Sequence, residues 1–307
     1  MISRADVEAA WVLIRPHVRR TPTIELKAGA LGVAVPLALK LESLQLSGSF
    51  KGRGAFHKIL ASKVPAAGIV AASGGNHGAA AAYAARALGH KAEIFVPTMA
   101  SPTKVARLRT YGAVVHQIGA VYAEARAASE ARAAETGALI VPAYEDKVVF
   151  AGAGSVALEF EEQAKFDTLL VAVGGGGLIA GCAAAIGAET KIVAVETEGT
   201  PTLHAALKAG RPVEVKISGI AADALGASRI GTPNFEVARK LVKQSVLVSD
   251  DAVRAAQRAL WEELRVVAEP AGAAGLAALM AGVYRPAAGE RVATLICGAN
   301  TDPGSVA

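Results

Sequence analysis

Lys51 stands in Leu46-Ser-Gly-Ser-Phe-Lys-Gly-Arg-Gly54, one amine among small residues beside a single aromatic. A lysine amine forms a Schiff base with an aldehyde only when deprotonated, a state that burial and nearby positive charge favour. Taken alone, the segment also reads as a loop with a solvated lysine. A second segment, Gly174-Gly-Gly-Gly-Leu-Ile-Ala-Gly181, follows the apolar run Thr168–Val173 and reads as strand, glycine loop and helix. Glycines let successive N–H groups turn toward one anion, and the helix N-terminus adds partial positive charge, so the unit suits a phosphate. Its spacing matches neither the dinucleotide fingerprint nor the Walker loop, and a tight strand–helix connection would use the same glycines. The third segment, Ala71-Ala-Ser-Gly-Gly-Asn-His-Gly78, again runs from strand to helix. Its N–H groups and the Ser73 hydroxyl suit a carboxylate, and the Asn76 amide suits a phenolic oxygen; a helix cap by Ser73 or Asn76 is the structural alternative. His77 reads as a positioned neighbour rather than a base. The last segment, Val292-Ala-Thr-Leu-Ile-Cys-Gly-Ala-Asn-Thr301, ends an apolar strand on the Cys297 thiol, which alone reads as core packing.

The elements that must position these residues alternate in kind. Short β-branched or apolar runs recur at Gly68–Ser73, Lys91–Pro97, Ala113–Gly119, Leu139–Ala143, Thr168–Gly174, Lys191–Glu196, Ser245–Ser249 and Val292–Gly298. Helical spacing marks His77–Leu88, Pro102–Tyr111, Val121–Thr136, Ala151–Lys165, Leu178–Ile186, Asp250–Leu264 and Pro270–Met280. Such alternation predicts an α/β architecture with mainly parallel sheets, whose functional groups gather at strand C-terminal ends. Three glycine-marked strand ends therefore point to one common site. Without a tandem repeat or long polar linker, two lobes should be interwoven.

Bulk properties exclude several classes. A chain of 307 residues has room for two domains at roughly 100–200 residues each. The formal charge of +5 is scattered, without a basic run interleaved with aromatics, which argues against nucleic acid. No apolar stretch reaches the ~20 residues that span a bilayer, and the N-terminal residues do not read as a secretory signal, so the cytoplasm is the expected compartment. Two cysteines are too few for a disulfide framework or a zinc cluster.

Taken together, these segments resemble the serine/threonine dehydratase group, with serine racemases, of fold-type II pyridoxal-phosphate enzymes. Thr21-Pro22, Lys40-Leu-Glu-Ser43, Ser49-Phe-Lys-Gly-Arg-Gly54, Ser73-Gly-Gly-Asn-His77, Pro97, Lys104, Gly174–Gly177, Val195-Glu196, Glu269-Pro-Ala-Gly272 and Cys297-Gly-Ala-Asn300 occur in the family's order. The resemblance implies a two-lobed, tryptophan synthase β-like α/β fold. Residues 1–62 and 146–307 would form a large cofactor-binding domain, and 68–145 a small inserted domain carrying the Asn76 loop. It implies pyridoxal 5′-phosphate on Lys51, Phe50 against its ring, Asn76 at its phenolic oxygen, Gly174, Gly175, Gly176 and Gly177 at its phosphate, and Cys297 at its pyridine nitrogen. Ser73, Gly74, Gly75, Asn76 and His77 would hold the substrate carboxylate, and Glu269 would lie in the pocket with its role open. The implied activity is removal of water from a small 3-hydroxy amino acid such as L-threonine or L-serine, with the cofactor phosphate as proton source, giving a 2-oxo acid and ammonia. The alternatives are a dehydratase of 3-hydroxyaspartate or phenylserine, a serine racemase, a β-replacement synthase, or a binding relative without turnover. The expected partner is the amino acid, with no nucleic acid and no membrane, and the expected assembly is a homodimer.

Departures from the family pattern carry their own expectations. Glu196-Thr-Glu-Gly-Thr-Pro-Thr202 keeps the Glu of the group's cation pattern but offers no Asp, so no metal is expected. Ala224 stands where many members have Gly, which narrows the space beside the cofactor. After Cys297 only ten residues remain, so no C-terminal regulatory domain is expected. Racemases of the group carry a serine immediately before the Gly-Asn pair, and here that position is Gly74, which has no proton to give. With L-serine or L-threonine, chiral chromatography should therefore show little epimerised amino acid beside the 2-oxo acid; epimerisation at an equal rate would reveal another acid opposite Lys51.

Overall fold

The computed structural model describes residues 2–306 and contains two sheets. Ten strands occur in chain order: β1 Thr23–Leu26, β2 Leu37–Lys40, β3 Ile69–Ala72, β4 Ala92–Val96, β5 Val114–Gln117, β6 Leu139–Ile140, β7 Thr168–Ala172, β8 Lys191–Thr197, β9 Val242–Val248 and β10 Val292–Leu295. The larger sheet runs β1-β2-β10-β7-β8-β9, and the smaller runs β5-β4-β3-β6. Every pairing is parallel except β1 with β2. Helices cover the faces, so β7 and β10 are buried along their whole length and read as unbroken apolar runs. The α/β class and the mainly parallel sheets are those expected from the alternation.

All four strands of the smaller sheet come from residues 69–140, and it has its own core around Ile69, Ile94 and Val96. The larger core gathers around β7, β8 and β10. The helix Lys51–Leu60 belongs to both regions. Its Ala55, Phe56 and Ile59 pack in the smaller core, while Arg53 on the same helix turns toward the larger sheet's ion cluster. Close helix crossings make this possible: a Cβ at Gly54 would sit 2.7 Å from the Val149 carbonyl oxygen, and one at Gly154 would sit 2.4 Å from that of Gly181.

Several boundaries differ from the sequence reading. The run Leu139–Ala143 stops at Ile140, because Pro142 offers no ladder donor. The run Ser245–Ser249 begins three residues earlier, at Val242, and pairs with β8 across an irregularity at Ile192/Val193. The helices Arg4–Ile14, Lys51–Leu60, Thr202–Ala209 and Thr232–Leu241 and the strands β1 and β2 carry no strong pattern in the sequence. Lys40 at the end of β2 interrupts the apolar run, yet its side chain is fully buried.

That lysine belongs to an ion cluster buried between β2, the helix Lys51–Leu60 and the helix Lys147–Gln163. Lys40 Nζ donates to Glu159 Oε1 at 2.5 Å and to the Thr21 carbonyl at 2.7 Å. Arg53 donates to both oxygens of Glu42, at 2.8 and 2.7 Å, and to Glu159 Oε2 at 3.0 Å. Two cations face two carboxylates, and no side chain of the four is exposed. Burial opposes charge on Arg53, but attraction from Glu42 and Glu159 carries its pKa upward. Among the described residues no helix is long and apolar enough to cross a membrane. Glu159→Ala should lower stability by about 3–5 kcal/mol, because Lys40 and Arg53 each lose a counter-ion out of water. The midpoint of urea unfolding measures that loss, and an unchanged midpoint would show the cluster to be dispensable.

Candidate active site

The C-terminal ends of β3, β7 and β10 converge with the N-terminus of the helix Lys51–Leu60. The N-terminal end of a helix repels an ammonium, and burial does so more strongly. Burial accordingly draws the Lys51 pKa down to about 8, with the Glu269 side chain partly opposing the shift. The Lys51 amine donates to the Ala143 carbonyl at 2.8 Å and lies 5.3 Å from the centroid of the Phe50 ring.

Opposite Lys51 lies the loop Gly174–Gly177, which lines the same cavity. The Gly174 carbonyl accepts from Thr202 Oγ1 at 2.6 Å, and the Gly175 carbonyl accepts from Asn234 Nδ2 at 2.7 Å and from the Gly231 N–H at 3.1 Å. Both carbonyls are thereby fastened at the back of the loop. In a trans peptide the N–H points opposite to the C=O, so the N–H groups of Gly175 and Gly176 turn forward. Gly177 opens the helix Gly177–Ile186, whose first N–H groups have no intrahelical acceptor. Side chains would not fit here: a Cβ on Gly175 would lie 2.3 Å from Tyr144 Cγ, and Gly176 has φ of 87°.

The Ser73–His77 loop forms the third wall. Ser73 Oγ accepts from the Gly75 N–H at 3.1 Å, and Gly75, not Ser73 or Asn76, occupies the cap position of the helix Asn76–Ala87. A Cβ on Gly74 would meet only Val96 and Ala100 at ordinary contact distance, so packing does not require glycine there. His77 is expected among the substrate contacts, but its ring points into the interior, where Nε2 bonds the Val141 carbonyl at 2.8 Å. Burial, then the Lys51 charge, lowers its pKa to about 3 and keeps the imidazole neutral.

Asn76 Nδ2 donates to Glu269 Oε1 at 2.6 Å. Burial, with Asp223 repulsion adding to it, raises Glu269 to about 7, although the bond from Asn76 acts the other way. Cys297 is buried at the end of the β10 segment and lines the cavity with Lys51. Burial, then the nearby Glu269, pushes its thiol well above the ordinary range, so it is neutral. A cavity of about 740 Å³ leads outward past Tyr122, Tyr144 and Ala224, and Lys104 and Asp223 form an ion pair on its wall. Glu196 lies behind the glycine loop and accepts from the N–H groups of Leu203 and His204, both at 2.7 Å.

The chain belongs to the pyridoxal-phosphate dependent enzyme family, whose profile matches residues 14–298. It is 36% identical to an L-threonine ammonia-lyase of Geobacter sulfurreducens, over 98% of this chain and 76% of that protein. It is equally 36% identical to a phenylserine dehydratase of Ralstonia pickettii, over 96% of this chain and 92% of that one. Among solved structures, maize serine racemase superposes with a TM-score of 0.93 at 32% identity, covering 99% of this chain and 95% of that chain.

The residues fit pyridoxal phosphate: a low-pKa amine, a side-chain-free cradle of forward-facing N–H groups, and a neutral thiol share one cavity. Sequence reasoning missed residues that back this set, namely Thr202, Asn234, Tyr144 and the Ala143 carbonyl, while Asn300 stood in the Cys297–Asn300 segment with no role assigned. Isolated Thr, Asn and Tyr residues carry no motif, and a backbone carbonyl carries no residue signal at all. Gly175→Ala should weaken pyridoxal-phosphate binding by about tenfold or more, as expected for misplacing one phosphate donor. Titration of the cofactor's visible absorbance checks this, and unchanged affinity would remove the cradle from the phosphate.

Proposed function

We propose that this chain is a pyridoxal-phosphate-dependent ammonia-lyase that removes water from a small 3-hydroxy amino acid, L-threonine or L-serine. One observation carries the reading: an amine drawn down to about 8 shares a cavity with a glycine cradle and a neutral thiol. When bound, the cofactor supplies an electrophilic carbonyl for an amine and a conjugated ring that takes up the electron pair left at the α-carbon. The N–H groups of Gly175, Gly176 and Gly177 would bind its phosphate, with Gly174 shaping the turn, Phe50 would pack against the ring and the Asn76 amide would donate to its phenolic oxygen.

The Ser73 hydroxyl and the free N–H groups opening the helix Asn76–Ala87 bind the substrate carboxylate. Lys51, as a neutral amine, takes the α-proton at Nζ. The Cys297 thiol, held neutral by burial, would not impose a positive charge on the ring nitrogen as a carboxylate would, and the β-hydroxyl leaves as water with one proton, balancing the one that Lys51 takes from the α-carbon. The net products are a 2-oxo acid and ammonia: pyruvate from serine, 2-oxobutyrate from threonine.

The breadth of the outer cavity and the phenylserine dehydratase relative favour a second reading, in which the β-substituent is bulkier. In either case we place the protein in the cytoplasm as a homodimer with a free amino acid as its ligand.

A 2-oxo-acid assay across serine, threonine, phenylserine and 3-hydroxyaspartate tests the substrate, and borohydride reduction with peptide mapping should place the pyridoxyl group on Lys51. Below pH about 8 Lys51 is mostly protonated and unreactive, so cofactor loading onto the apoprotein should accelerate about tenfold per pH unit and then level off. Labelling at another lysine, or no 2-oxo acid from any of the four, would overturn the proposal.

A further inference from the structure

We propose that Asn300 is a positioning residue that determines which end of the Asn76 amide faces the cavity of Lys51. The two loops that carry Asn300 and Lys51 are joined in register: the Phe50 N–H donates to the Cys297 carbonyl and the Ala299 N–H to the Gly48 carbonyl, both at 3.0 Å. Within this junction Ser47 adopts a left-handed conformation, with φ of 64°. Its carbonyl accepts from Arg107 Nη2 at 2.6 Å and from Asn300 Nδ2 at 3.0 Å. Gly48 leaves room for the other end of the Asn300 amide, since a Cβ there would lie 2.3 Å from Asn300 Oδ1.

A backbone carbonyl can only accept, so the end of Asn300 that meets Ser47 is the NH₂ group. One of its two hydrogens goes to Ser47, and the other goes to Asn76 Oδ1. Asn76 therefore has its carbonyl end toward Asn300, and its own NH₂ group faces Glu269, 2.6 Å away. That bond uses one hydrogen, and the second remains for an acceptor in the cavity. The polarity starts at the Ser47 carbonyl, so it persists whether Glu269 is ionised or not. Without Asn300, the Asn76 amide could turn over and present a carbonyl to the same acceptor, replacing a hydrogen bond with a repulsion.

The inference rests on the proposed function for the identity of that acceptor, an oxygen of pyridoxal phosphate. Asn300→Asp is nearly isosteric but puts an acceptor where the polarity requires a donor, whereas Asn300→Ala only frees Asn76. Cofactor Kd, read from the visible band of the holoenzyme, should rise about tenfold or more in Asn300→Asp and less in Asn300→Ala, with the band shifted in the Asp variant. A role confined to packing would give the opposite order, because Ala leaves a gap and Asp does not.

The effect should vanish once Asn76 is gone: Asn76→Ala/Asn300→Ala should match Asn76→Ala within about twofold, the non-additivity expected of residues acting in series. Multiplying effects in the double variant, or an unmoved Kd and band in the single ones, would overturn the proposal. Should Asn300→Asp fail to fold, the Ala cycle alone decides between these outcomes. A wild-type protein that binds no cofactor would overturn the functional reading together with this one, whereas a loaded wild type with unaffected variants would overturn this one alone.

Discussion

Two cations and two carboxylates sealed from water between β2 and two helices constrain the rest of the molecule. Lys40, Glu42, Arg53 and Glu159 have their charges compensated only in one arrangement, since an unpaired ion in that position costs several kcal/mol. The arrangement sets the depth and rotation of the helix Lys51–Leu60, because Arg53 is its third residue. Lys51, at the first position, is carried to the meeting point of the two sheets. The apolar face of the same helix, with Phe56 and Ile59, anchors the smaller core. One helix is thus bound to one region by ions and to the other by packing.

Desolvation then acts on several groups with related outcomes. It pulls the Lys51 amine down toward neutrality, holds the Cys297 thiol neutral and keeps the His77 imidazole uncharged. Neutral groups fill a site that must receive an anionic phosphate and an ionic substrate. Positive potential comes instead from N–H groups at helix N-termini, which bear no titratable proton. Their orientation depends on hydrogen bonds behind the loop, from Thr202, Asn234 and Gly231.

The same scaffold carries racemases and ammonia-lyases, as the likeness to maize serine racemase and to an L-threonine ammonia-lyase indicates. Chemistry on such a scaffold is decided by the site and not by the fold. At Gly74 the surroundings admit a side chain and none is present. Ala224 and the Lys104–Asp223 pair stand on the wall of the same outer cavity.

Alternation of apolar runs and Ala-rich segments was enough to determine the α/β class, because it depends on local periodicity, and the glycine-marked strand ends meet around one cavity. The order of the motifs along the chain pointed to the family and to Lys51. The N-terminal strands were not legible, since Lys40 looks like a surface residue until Glu159, more than a hundred positions later, arrives to neutralise it. Likewise the sequence placed His77 at the substrate loop, but only tertiary packing turned its ring inward to the Val141 carbonyl. Thr202, Asn234 and Asn300 act by fixing the direction of a peptide or an amide in a distant segment. A direction of that kind arises only when the two segments meet in space, so no local pattern could have encoded it.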